Sequence, residues 1–210
     1  MSSKCYDYLA HIGEILEKVK TTQWDSIEKS AKKMAETIAA GHSVYIFGAS
    51  HAGILAQEMF YRTGGLAVVN AILPSEFMLN TRPVTQTSAM ERLEGYPTVI
   101  LNNSDVKKGD MLLLHSVSGR NTAAIEMAIK ASEMGVSTTA ITNMEYSTQV
   151  TSRHSSGKKL YEVCDVVIDN CGDFEDSSML LPGMKQKIAP TSSVVGCAIV
   201  NMLEIRTGEY

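Results

Sequence analysis

The chain has 210 residues, 44% of them hydrophobic and 20% charged, with a formal net charge of −4. That is enough chain for one domain with a substantial core, and the composition excludes a disordered protein. The acidic balance also excludes sequence-independent attraction to nucleic acid or to an anionic membrane surface, and no apolar run reaches the ~20 residues needed to span a bilayer.

Cys5, Cys164, Cys171 and Cys197 have no CxxC spacing and no histidine cluster beside them, so they read as reduced thiols rather than zinc ligands. Residues 1–8 carry no apolar signal core, so a cytoplasmic protein without metal or cofactor is expected.

The first 40 residues place Tyr8, Ile12, Ile15, Leu16 and Val19 at helical spacing. After a break at Thr21 and Thr22, the pattern resumes with Trp24, Ile27, Ala31, Met34, Ala35 and Ile38. Two helices ending at Gly41 are predicted, so that residues 1–42 pack on, or swap across, a domain formed by 43–210. The short apolar run 43–47 then predicts a buried strand, and 52–63 a helix stopped by Gly64 and Gly65. Further strands are predicted at 66–73, 111–115, 136–142 and 163–169, with helices at 121–134 and 192–205. This alternation predicts a parallel sheet with helices on both faces. The connections 74–108 and 143–162 are too long for a compact domain unless they serve a function; the first carries a short predicted helix near 89–93, the second the polar stretch 152–159.

In an open parallel sheet, ligands bind beyond the carboxyl ends of the strands. The first strand ends in Gly48-Ala49-Ser50-His51-Ala52-Gly53, the third in His115-Ser116-Val117-Ser118-Gly119-Arg120-Asn121-Thr122, and the last helix opens with Pro190-Thr191-Ser192-Ser193. Each is a hydroxyl-rich helix start, and two carry glycines that permit tight turns. Any one alone is an ordinary N-cap; three at one edge suit an anion held by neutral hydroxyls and backbone amides.

The stretch His115 to Thr122 resembles the Ser-x-Ser-Gly-x-Thr/Asn phosphosugar loop of the sugar isomerase (SIS) domain family. Gly48 to Gly53 resembles that family's first glycine-rich loop, and Ala189 to Ser193 its last. The polar stretch 152–159 and the long 74–108 connection resemble those of the UPF0309, phosphoheptose-isomerase-like subgroup. The resemblance implies a three-layer α/β, flavodoxin-like fold with a five-stranded parallel sheet. It also implies a homodimer or homotetramer with a shared site, and a sugar phosphate as ligand for an aldose–ketose isomerase. The phosphate would meet Ser116, Ser118, Asn121 and Thr122, with Ser50, Gly119, Arg120, Thr191 and Ser192 completing the binding set. Arabinose 5-phosphate isomerases of the family have Lys where this chain has His51 and Glu where it has Arg120, and the first loop of phosphoheptose isomerases is spaced differently. Their catalytic residues therefore do not carry over, and a non-catalytic sugar-phosphate sensor acting through a protein partner is the alternative.

Isomerisation needs a base between adjacent carbons and an acid for ring opening. His51 faces the ligand edge, Glu76 follows the second strand, and His154 lies in the polar stretch; these three are the predicted acid–base residues. Glu91 is the alternative carboxylate, Glu58 is placed toward a subunit interface, and His115 reads as a core histidine. The loop Gly-x-Ser-x-x-Gly lacks both the G-x-G-x-x-G of a dinucleotide site and the G-x-S-x-G of a hydrolase elbow.

Overall fold

The computed structural model describes residues 3–210. Two helices, α1 (Lys4–Thr22) and α2 (Trp24–Ala39), precede β1 (Val44–Gly48). After a single 3-10 turn come α3 (Ile54–Met59) and β2 (Val69–Ile72). The long connection that follows holds α4 (Gln86–Met90) and α5 (Tyr96–Asn102). The chain then alternates through β3 (Met111–His115), α6 (Thr122–Glu133), β4 (Ser137–Thr142), α7 (Met144–Gln149), β5 (Val166–Asp169) and α8 (Ser192–Gly208).

The five strands form one parallel sheet in the order β2-β1-β3-β4-β5. The three-layer α/β expectation holds, and the order is that of flavodoxin-like sheets. β1 and β3 are unbroken apolar runs because both faces of the sheet are covered. Val44, Ile46, Met111 and Leu113 point to the side of α1, α2, α3 and α8, where they meet Ile15, Ile27, Met34, Leu55 and Ile199. Tyr45, Phe47, Leu112 and Leu114 point the other way, onto Leu101 of α5 and Ile125 and Met127 of α6.

Several elements depart from expectation. The helix expected over 52–63 is reduced to α3, because Phe60 is extended (ψ 133°) and Tyr61 takes a positive φ of 48°. β2 and β5 are shorter than 66–73 and 163–169; as edge strands, each is paired on one side only. The break between the first two helices falls at Gln23. α5 and α7 fill stretches expected to be irregular. α5 starts at Gly95, and its first turn is capped by Glu126 of α6, whose carboxylate accepts from the Gly95 and Thr98 amides at 2.8 and 3.1 Å. Asn143 caps α7 through its side chain, which accepts from the Tyr146 amide at 2.8 Å. The four cysteines are free thiols, and burial pushes the Cys164 thiol up to about 12.

Candidate functional site

β1 lies between β2 and β3, so the chain leaves it in opposite directions on its two sides. The crevice at such a switch point is the usual ligand site of an open α/β sheet. A cavity of about 280 Å³ opens there. Its walls include Ser50 and His51 after β1, His115 to Ser118 after β3, Asn121 at the start of α6, and Glu91, Tyr146, Arg153 and Asp176 from the longer connections.

The turn after β1 has no room for side chains at its glycines. A Cβ on Gly48 would stand 2.3 Å from the Ala52 carbonyl oxygen, and one on Gly53 would stand 2.8 Å from the Gly48 oxygen. The loop after β3 is held from outside by its carbonyls. Ser116 O accepts from the Thr142 hydroxyl (2.7 Å) and the Gly119 amide (3.2 Å), Val117 O from the Asn143 amide (2.9 Å), Gly119 O from Leu160 (2.8 Å) and Arg120 O from Arg153 (2.9 Å). The amides of Val117, Ser118, Arg120 and Asn121, and the hydroxyls of Ser116 and Ser118, have no partner among the described residues. A loop whose carbonyls are mostly taken and whose amides are free among the described residues, at a helix N-terminus, is a concentration of positive partial charge, which suits an anion.

Not every expected binding residue reaches this cavity. Gly119 (φ 59°) packs behind the loop against Ser147 and Thr142. Thr122 is fully buried, and its hydroxyl donates to Arg153 O at 3.0 Å. Arg120 reaches toward Thr151 (3.4 Å), with its Nε buried and unpartnered among the described residues. Thr191 and Ser192 are not in the wall either. The Asp176 carboxylate already fills the start of α8, taking the Thr191 and Ser192 amides at 3.1 and 2.9 Å and the Ser192 hydroxyl at 2.6 Å.

Of the expected acid–base residues, His51 is exposed and lines the cavity. Glu76 does not. It follows the edge strand β2, and its own amide and the Tyr96 hydroxyl hold its carboxyl below the ordinary range. His154 also lies outside: its Nδ1 sits 2.8 Å from the Ser156 hydroxyl, and the residue lines a separate cleft with Glu94 and Glu133. Its neighbour Arg153 faces the cavity instead, donating to Asn121 Oδ1 at 2.6 Å.

Two titratable groups ranked lower in the sequence analysis, Glu91 and His115, stand in the cavity wall. Glu91 reaches the cavity from the end of α4; its Oε2 accepts from Asn121 Nδ2, and its backbone oxygen accepts from the Ala123 amide at 3.0 Å. Burial pushes its carboxyl up, opposed by Arg153, Arg92 and Asn121. His115 is 1% exposed, with Nδ1 3.0 Å from the Ala52 oxygen and Nε2 unpartnered among the described residues. A carbonyl partner requires the proton on Nδ1, and burial holds the ring's pKa below the usual value. Among the described residues, no group of three or more His, Cys, Asp or Glu is placed to hold a metal ion, and no helix is long and apolar enough to cross a membrane.

Known proteins resemble this chain in sequence and in fold. A UPF0309 protein of Oceanobacillus iheyensis is 48% identical over 200 residues, covering 95% of this chain and 81% of the relative. A phosphoheptose isomerase from Francisella tularensis has the same fold at TM-score 0.65, with 15% identity and all of both chains covered. The sugar isomerase domain of an RpiR transcription factor from Sphaerobacter thermophilus aligns at TM-score 0.59 and 16% identity, over 97% of this chain and 89% of that one. The SIS domain family profile matches residues 7–143, a stretch that contains both the β1 turn and the β3–α6 loop. The chain therefore belongs to the SIS domain family and, within it, to the UPF0309 proteins.

Proposed function

We propose that this chain binds a phosphorylated sugar at the β1/β3 switch point and interconverts its aldose and ketose forms by acid–base proton transfer. The observation that carries this reading is the β3–α6 loop, whose carbonyls are all but spent and whose amides are free. The fold shared with a phosphoheptose isomerase supports it. In this reading the phosphate takes the amides of Val117, Ser118 and Asn121 and the hydroxyls of Ser116 and Ser118. The sugar carbons then extend toward Ser50 and His51. A base there removes the C2 proton as the C1 carbonyl oxygen gains one, giving an enediol; loss of the 2-hydroxyl proton and protonation of C1 yield the ketose. His51 is the exposed titratable group on that wall and takes the role of base. A homodimer or homotetramer in which a second copy closes the cavity belongs to the same reading; α8 keeps Val194 and Ile205 on its outer face, 48% and 66% exposed.

A sensor without turnover is the second reading. It is supported by the resemblance drawn above, which sets His51 and Arg120 against Lys and Glu of the arabinose 5-phosphate isomerases, and by the fold shared with a transcription factor's sugar isomerase domain. Incubation with a panel of phosphorylated aldoses and ketoses in D2O, followed by NMR, separates the two. Deuterium entering C1 or C2, and lost in His51→Ala, supports the isomerase. Thermal stabilisation without exchange supports the sensor, and no stabilisation by any sugar phosphate removes both.

A further inference from the structure

We propose that Glu91 is the acid of this cavity and that it takes up a proton when an anion docks on the β3–α6 loop; the inference rests on the phosphate-site reading above. Glu91 belongs to the long connection between β2 and β3, yet it is fixed to the first turn of α6 by the bond from the Ala123 amide to its backbone oxygen. Its carboxylate is divided in function. Oε2 is occupied by Asn121 Nδ2, while Oε1 makes no hydrogen bond among the described residues, and the residue lines the cavity.

The groups around it carry its charge only at a distance. Arg92 on its own segment and Arg153 on the 150–159 strap act on it through space, and neither makes an ion pair within 4 Å among the described residues. Arg153 is instead bound to Asn121 Oδ1. The remaining titratable groups of the cavity are His51, His115, Tyr146 and Asp176, the last already committed to the start of α8. Glu91 is thus a largely buried carboxyl whose charge is balanced by two guanidinium groups, neither in an ion pair with it.

A dianion on the free amides of Ser118 and Asn121 changes that balance twice. It engages Arg153, which no longer compensates Glu91, and it adds its own negative field beside a partly desolvated carboxylate. Both effects favour the protonated acid. The proton enters on Oε1, the oxygen without a hydrogen-bond partner among the described residues. In ring opening it passes to the ring oxygen, which also takes the electron pair of the breaking C1–O bond. The anomeric hydroxyl gives its proton to His51 or to water as the C1 carbonyl forms. Docking of the phosphate therefore arms the acid.

Sulfate is the probe, because it stays dianionic across the relevant pH range. Full-length protein is titrated with sulfate calorimetrically at pH 6.5 in two buffers of different ionisation enthalpy. Net proton uptake on sulfate binding is expected in the wild type and none in Glu91→Gln, with sulfate still bound and the fold retained by circular dichroism. Glu91→Ala should behave the same way. Sulfate bound without proton uptake, or uptake that survives in Glu91→Gln and vanishes in His51→Ala, overturns the role of Glu91 and leaves the phosphate site standing. If the wild type binds no sulfate, or if Ser118→Ala binds it equally well, the phosphate-site reading falls, and the inference falls with it.

Discussion

Gly119→Ala tests whether packing behind the β3–α6 loop sets its shape. Gly119 has φ +59°, and an added Cβ would stand 2.7 Å from Ser147 Oγ and 3.0 Å from Thr142 Oγ1. Neither neighbour gives way easily. Ser147 is fully buried, and the Thr142 hydroxyl holds the Ser116 carbonyl at 2.7 Å. The left-handed backbone alone costs an alanine about 1 kcal/mol, and overpacking adds about 1–3, so a loss of about 2–4 kcal/mol is expected. Gly183→Ala is the control. It has φ +80° with nothing within 4 Å of the new Cβ, and should lose only the conformational part, about 1 kcal/mol. Urea unfolding followed by circular dichroism, with and without sulfate, gives both numbers and shows whether the loop still binds an anion. If Gly119→Ala loses no more than the control and keeps full stabilisation by sulfate, packing behind the loop does not set its shape, and the argument for a preformed anion site fails.

Asp176→Ala removes the carboxylate that takes two amides and a hydroxyl at the start of α8, and should lower stability by about 1–3 kcal/mol in thermal unfolding. A loss below ~0.5 kcal/mol would mean the helix start is satisfied by water instead. Glu126→Gln weakens the cap of α5 and should speed amide hydrogen exchange over residues 95–102 while leaving β1 and β3 protected; uniform exchange across the chain would argue against a local role. His115 gives a pH signature. Burial holds its folded-state pKa below the usual ~6.5, so the unfolded chain takes the proton first as pH falls. Its contribution is flat above pH ~6.5 and is lost below it, at up to ~1.4 kcal/mol per pH unit, until the folded-state value is reached. The difference between the stability curves of wild type and His115→Gln should show that slope, and parallel curves would count against a neutral buried imidazole.

The sheet was legible because its central strands obey one simple constraint. Val44 to Phe47 and Met111 to Leu114 are buried from both faces, which leaves no polar residue to blur the pattern. The β3–α6 loop stood out for the opposite reason: small and hydroxyl residues accumulate where a strand ends and a helix begins. Contacts distant in sequence were not legible. α5 is capped by Glu126, some thirty residues on, and nothing near Gly95 announces it. Glu76 and Glu91 both follow β2, and nearness to a strand end favoured Glu76. But β2 is the edge strand, while the cavity lies between β1 and β3, so a residue directly after β2 falls short of it. Fifteen residues further on, the chain has turned back through α4 onto the α6 amides and delivers Glu91. In the polar strap, Arg153 and His154 are neighbours that project to opposite sides, and sequence alone does not say which side is inward.

The hydroxyl-rich helix starts at Asn121–Thr122 and Thr191–Ser192 looked equivalent, and the structure separates them by what their backbones already bind. At α6, the carbonyls of Ser116, Val117, Gly119 and Arg120 are taken by Thr142, Asn143, Leu160 and Arg153, while the amides of Val117, Ser118 and Asn121 have no partner among the described residues. At α8, Asp176 supplies an anion from the chain itself, on a segment where Glu175 and Asp176 both take left-handed backbone at φ 57° and 52°. Two consecutive left-handed residues without glycine carry a conformational cost, which the three hydrogen bonds of the carboxylate offset. An anion arriving in the cavity therefore finds one helix start free and the other filled. It should settle on Ser118 and Asn121, beside Glu91 and Arg153. The sugar end then points back toward His51, while the Ser192 hydroxyl stays on Asp176.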